Sequence, residues 1–453
     1  MHTQLTASDL SPLMKNLSAA NRKFNEHYPG VRTERQPVHT LYGGAHLYKS
    51  GSSGKLGKLA RRHFETYAPG PEDMASAVGL EVTRQAEIIN RVFERVIAKL
   101  EYEPIEDQRI DFEDGYGLRE DEEEDSHAVS SAEAMHAGMQ SGDLPPFIGI
   151  RIKALTEEGK DRSIRTLDIF LSTLTDLTGG KLPDPFFVTL PKVTHPTQVE
   201  VLADCLDLLE SRCGLEAGKI KIELMIETIQ SIFKPTGECG IPELIAAGSG
   251  RVSAAILGTF DYTASCNIAS NYQDHQHPSA DFARQMMQVS LTGTGVTLCD
   301  GITNIIPIPL YRGENLSELE IRENTRVIHD AWRIHFDNIM YSLKLGFYQS
   351  WDLNPAQLPV RYMAVYYFFL DGLADASARL KTFIDQATQA SMVGNTFDDA
   401  ASAEGLLNFF VSGLSCGALT EDEALRSGAT LEEIRERSFL KIVENRMGGK
   451  DHG

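Results

Sequence analysis

The chain has 453 residues, enough for one large domain with an appended region or for two or three ordinary ones. A hydrophobic share of 42% and a charged share of 24% describe a globular protein with a sizeable core, and a net charge of −21 argues against nucleic acid or an anionic membrane as partner. No apolar run reaches membrane-spanning length, the start MHTQLTASDLSPLMKN lacks the pattern of a secretory signal, and six cysteines without CxxC spacing read as buried thiols of a reducing cytoplasm.

Residues 1–37 read as a helical extension. Short apolar runs then alternate with helical stretches for most of the chain. The strand-like runs are VHTLYGG (38–44), RIDFED (109–114), FIGIRIK (147–153), FFVTLPK (186–192), KIKIELMIE (219–227) and VSAAILGTF (252–260), followed by the weaker GVTLCDGI (295–302) and FYQSWDL (347–353). Between them, SAEAMHAGMQ, RTLDIFLSTLTDL and QVEVLADCLDLLE carry helical periodicity. Near-continuous apolar strands alternating with helices predict a parallel sheet covered by helices. Eight such repeats predict an α/β fold, a (β/α)₈ TIM barrel over residues 38–355. After Pro359 the pattern turns helical without a strand, predicting a C-terminal helical domain over 356–453. The acidic run REDEEED (119–125) reads as a solvated loop.

In a barrel of this kind chemistry sits where the strands end. Those ends carry Asp111, Glu113 and Asp114, then Arg151 and Lys153, then Lys192, Glu227 and Asp261. Three carboxylates within four positions repel one another unless a cation lies nearby. A hard cation such as Mg²⁺ needs only one or two protein carboxylates because it keeps several waters. Glu227 and Asp261 are the natural direct ligands, with Asp111 and Glu113 reaching metal-bound water from a second shell. Arg151 has the planar fork that clamps a carboxylate or steadies an oxyanion, and it could equally balance Glu113 or Glu227. Lys192 is the candidate second substrate-binding cation. DHQHP places Asp274, His275 and His277 after the Asp261 strand, where two imidazoles without a third make a weak transition-metal site and read better as a polar loop. Lys49, Lys55 and Lys58, among glycines after the first strand, could cradle a phosphate, although a flexible loop explains them as well. Trp351 and the aromatic YMAVYYFF read as packing core.

These stretches carry a family resemblance. RIDFED resembles the D-x-E-D strand end of the superfamily of citrate lyase beta subunits, malyl-CoA lyases, HpcH/HpaI aldolases and malate synthases. IRIKAL, FVTLPKV, MIET and GTFDYTA resemble its arginine, LPK and two metal strands, and GFYQSWDLNPAQLPV (346–360) its segment after the barrel. Phe260 stands where an acid commonly precedes the metal-binding aspartate, and Asn354 where a histidine is usual. NTFDDAASAEG (395–405) resembles the malate synthase segment that carries the general base, which places Asp399 in that role, with helix capping as the alternative. The resemblance implies a TIM barrel, Mg²⁺, and a carbon–carbon lyase, aldolase or Claisen-type synthase acting through an enolate. Catalysis would fall to Arg151, Glu113 and Asp399, on a small-molecule 2-oxo acid or an acyl-CoA, with coenzyme A as thioester and a homo-oligomer left open. Two other readings remain: a phosphoenolpyruvate- or pyruvate-handling enzyme of another reaction type, and a catalytically silent barrel that binds a partner.

Overall fold

In the computed structural model the described residues are 4–30, 32–385, 391–393, 396–398, 400–436 and 442. Eight parallel strands close into a barrel in chain order. They are β1 (His39–Gly44), β2 (Asp107–Asp111), β3 (Phe147–Arg151), β4 (Phe186–Leu190), β5 (Ile220–Ile226), β6 (Val252–Leu257), β7 (Thr297–Asp300) and β8 (Gln349–Asp352). Every expected strand is present, and β8 returns to β1 through the pairing of His39 with Ser350. The barrel implied by the resemblance is therefore the fold of this chain.

The physical reason is visible in the burial. β2, β4 and β6 are buried along their whole length, as strands must be when helices cover one face and the barrel interior the other. Their outward residues pack on the surrounding helices: Ile110, Ile148, Ile150, Phe186, Val188, Ile222 and Leu257 share one apolar cluster with Phe170, Leu174 and Leu206. A second cluster joins Val38, Phe64, Val96 and Trp332 to residues of the helix Leu358–Asp385 and to Leu407 and Phe410 beyond it. The helical region after residue 356 thus shares its core with the helices flanking β1.

Three details differ from expectation. The acidic run does not form a loop: Asp121–Glu124 fill the first turn of the helix Asp121–Ser141, where the helix dipole favours negative charge. Glu124 is fully buried, 2.8 Å from Lys153 and accepting from Thr166 Oγ1 at 2.6 Å. The region after residue 359 does contain strands, an antiparallel pair Ser391–Val393 and Thr396–Asp398. Of the six free cysteines only Cys299 and Cys416 are buried. Among the described residues no helix is long and apolar enough to cross a membrane.

Candidate active site at the barrel mouth

Arg151 is the last residue of β3 and is 3% exposed. Its Nε and Nη2 donate to the two oxygens of Asp111, the last residue of neighbouring β2, at 2.7 and 2.6 Å. This bidentate geometry fixes the plane of the guanidinium. The rings of Tyr42 from β1 and Trp351 from β8 lie 4.8 and 5.8 Å from its centre, and Nη1 faces Met225 Sδ on β5 at 3.7 Å. Burial works against its charge, but Asp111 and Glu113 hold it above the usual arginine value.

Asp111 also accepts from the backbone N–H of Glu113 at 2.9 Å and of Gly115 at 2.7 Å. Four donors fill the four lone-pair positions of one carboxylate. The expectation for Asp111 is metal-bound water; in this structure its acceptors serve Arg151 and the loop after β2. Gly115 is required there, since a Cβ would sit 2.6 Å from Asp111 Oδ2.

Glu113 faces the mouth. Its carboxylate pairs with Lys192 Nζ, lies 3.3 Å from Arg151 Nη1 and accepts from the Asp114 N–H at 2.8 Å. Burial raises its pKa, with Arg151 and Lys192 opposing. Lys192 also reaches Asp114 at 3.0 Å and Asp261 at 3.8 Å, so its ammonium sits among three acids. Its backbone adopts φ +50°, a left-handed conformation unusual for a side chain with a Cβ. The Lys192 N–H donating to Glu227 Oε1 at 2.6 Å holds it there. Strained backbone of this kind clusters at functional sites.

Glu227, just past β5, is 1% exposed. One oxygen takes the Lys192 N–H; the other, Oε2, is buried without a hydrogen-bond partner. Burial pushes its pKa up to about 8, and the Asp261 charge adds to the shift while Lys192 and Arg151 oppose it. Gly258 packs directly against that side chain, and a Cβ there would lie 2.2 Å from Oε2. Asp261, in the first turn of the helix Thr259–Ser265, is 40% exposed and also raised by burial.

Glu227 and Asp261 fit a hard divalent cation. An unpartnered buried oxygen and a second carboxylate that raises its pKa are what one or two protein ligands to such an ion require. Among the described residues no group of three or more His, Cys, Asp or Glu is placed to hold a metal, so an ion here would rest on this carboxylate pair and on water. His275 is engaged at both nitrogens, 3.2 Å from Ile302 O and 3.0 Å from Ser342 Oγ, while His277 caps the helix Pro278–Leu291. The reading of that stretch as a metal site has no support.

Lys153 is taken up by Phe112 O at 2.7 Å and by Glu124 at 2.8 Å. Asn354 caps the turn Pro355–Gln357, accepting from the Ala356 N–H at 2.9 Å. Asp399, the proposed base, lies outside the described residues. Sequence reasoning missed Tyr42 and read Trp351 only as packing core, which its burial bears out. Both are buried against Arg151, and the Tyr42 hydroxyl and Trp351 Nε1 are without partners. Their pairing across the β1–β8 seam has no local signature.

The molecule is thus an eight-stranded α/β barrel with an arginine clamp and a carboxylate pair at its mouth. The family model described as Domain of unknown function (DUF6986) matches residues 17–442, and the chain belongs to that family. No curated protein matches it. Among solved structures, a citrate lyase from Burkholderia xenovorans is similar at 15% identity and a TM-score of 0.55, over 73% of this chain and 90% of its own. The protein CitE from Mycobacterium tuberculosis, in complex with magnesium, acetoacetate and coenzyme A, matches at 15% identity and a TM-score of 0.47, over 85% of this chain and 100% of its own. A malate synthase from Haloferax volcanii matches at 13% identity and 0.43, over 91% and 97%. The first of these shows a shared barrel fold; the other two, below 0.5, add no argument.

Proposed function

We propose that this protein is a Mg²⁺-dependent enzyme that makes or breaks a carbon–carbon bond beside a carbonyl, through an enolate of a 2-oxo acid or an acyl thioester. The observation that carries the reading is Glu227 Oε2, buried, unpartnered and beside Asp261 at the same barrel mouth as Arg151. Glu227 and Asp261 would hold the ion, which when bound supplies Lewis acidity to a substrate oxygen.

The chain's own groups do the rest. Arg151, held rigid by Asp111 and flanked by Tyr42 and Trp351, offers Nη1 toward the mouth, where it binds a substrate carboxylate or the oxygen that gains charge. A fixed donor in a water-poor site favours that charge because nothing must reorganise as it develops. Lys192 binds a second anionic group and, with Glu113, sets the charge balance of the mouth. The buried hydroxyl of Tyr42 and Nε1 of Trp351 are available to substrate oxygens. Asp399 is the candidate base on the strength of the malate synthase resemblance alone, and the same resemblance suggests coenzyme A as carrier of the acyl partner.

Calorimetric titration with Mg²⁺, alone and with pyruvate, glyoxylate or oxaloacetate, tests the reading. Wild type should bind Mg²⁺ and then the oxo acid, and Glu227→Gln should lose both while unfolding as a normal cooperative domain. A chain that takes up neither, or a Glu227→Gln protein with unchanged Mg²⁺ affinity, would overturn it and favour a silent binding barrel.

A further inference from the structure

On the opposite face, beneath the barrel, the strand starts enclose a cavity of about 740 Å³. This lies within the roughly 300–1,000 Å³ of small-molecule sites. Residues 32–37 strap across it. Gly30 N–H donates to Gly293 O at 2.9 Å on one side, and Gln36 N–H donates to Ser415 O at 3.0 Å on the other, so the strap runs from the loop before β7 to the helix Ala400–Ser415.

One wall is aromatic. The rings of Phe147 and Phe187, at the starts of β3 and β4, stack with centroids 6.4 Å apart and planes at 28°. Guanidinium groups face their outer sides, Arg35 at 6.0 Å from Phe147 and Arg109 at 4.6 Å from Phe187. With their faces covered in this way, the rings present apolar edges to the body of a ligand.

The charges decide what that ligand carries. The charged residues of the lining are Arg32, Arg35, Arg109 and Lys221 against Glu34, Asp107 and Glu223. Arg109 is occupied by Asp107 and Glu223, and Arg35 by Glu103 and Glu106. Lys221 Nζ donates to the Gly218 carbonyl at 2.9 Å, and neither it nor Arg32 has an acid partner among the described residues. Arg32 and Lys221 are thus the lining cations left without an acid partner among the described residues. An apolar chamber with two such cations at its edge suits a molecule that is mostly apolar and carries a carboxylate.

We infer that this cavity is a second binding site, for an amphipathic carboxylate whose apolar or aromatic body lies against Phe147 and Phe187 and whose carboxylate meets Arg32 and Lys221. The inference does not depend on the chemistry at the mouth. It is tested on the full-length chain by calorimetric titration with octanoate and 4-phenylbutyrate, with octanamide as the neutral match. Wild type should bind one carboxylate per chain and bind octanamide about tenfold less tightly, the scale of one charge-assisted hydrogen bond. An Arg32→Ala/Lys221→Ala double variant should lose about the same factor, and Ser412→Trp, which fills the cavity from the helix side, should abolish binding. Arg151→Met, altering only the mouth, should bind as wild type does. The inference is overturned by a wild type that binds neither carboxylate, by equal affinity for octanoate and octanamide, or by binding that survives Ser412→Trp and disappears in Arg151→Met.

Discussion

At the floor of the barrel Arg109 donates to Glu223 at 2.8 and 2.6 Å and pairs with Asp107, while Thr189 and Thr40 donate to the same two acids at 2.6 and 2.8 Å. All three charged groups are buried and each has its partner. At the mouth, on the same strands, Asp111 and Arg151 are matched in the same way, but Glu227 Oε2 is left bare and Lys192 is shared among three acids. A buried group without a partner costs stability, so a fold keeps one only where something else completes it. The floor is finished by the chain itself; on the proposed function, the mouth is finished by what binds there.

The comparison breaks most sharply at Arg109. Arg109→Ala strands two buried carboxylates and should cost about 3–5 kcal/mol, read as a lower denaturation midpoint in urea. An unchanged midpoint would mean that water already serves those acids. At the mouth, Arg151→Lys should retain most stability yet lose about 10²–10³-fold in turnover of whatever oxo acid titration identifies, because an ammonium cannot make the two-pronged bond to Asp111 while facing substrate. Wild-type turnover in that variant would show that charge alone is needed.

The two ends should also respond to pH with opposite signs. Burial pushes Glu227 from 4.5 up to about 8. Between those values the unfolded chain releases a proton that the folded chain keeps, so metal-free protein loses stability as pH rises from about 4.5 to 8. Near the floor, burial pushes His39 from 6.5 down to about 4, so there the unfolded chain takes up the extra proton and stability falls as pH drops through that window. Each effect should be on the order of 2 kcal/mol for one buried group. Melting curves against pH for Glu227→Gln and His39→Gln should flatten the alkaline and acid limbs respectively. A Glu227→Gln protein with an unchanged alkaline limb would remove that residue as the cause.

Much of the mouth was legible because strand ends are marked by local features: an apolar run, then a charge. Arg151, Lys192, Glu227 and Asp261 all fall where the runs stop. Legibility failed where partners come from distant strands. Asp111 looked like its neighbours Glu113 and Asp114, and only the register of β2 against β3 shows it paired with Arg151 instead of facing the mouth. Arg109 and Glu223 lie inside apolar runs 114 residues apart, so nothing near either announces the pair. The acidic run at 119–125 misled because charge density alone does not separate a loop from a helix start, and Glu124 is buried by Lys153 and Thr166 from other elements.

The seam where β8 meets β1 has a kinetic consequence. Gln349 donates to Thr40 across it at 3.0 Å, joining residues 309 positions apart, and long-range closure of this kind is slow because chain entropy is lost before contacts form. The rings of Tyr42 and Trp351, 4.8 Å apart, lie on either side of that seam, and both flank Arg151. The guanidinium therefore gains its aromatic walls only when the ring shuts. A chain that stalls or is cut before β8 holds an arginine and its aspartate but no enclosed site, so incomplete folding should yield silent protein rather than a weakly active or promiscuous one.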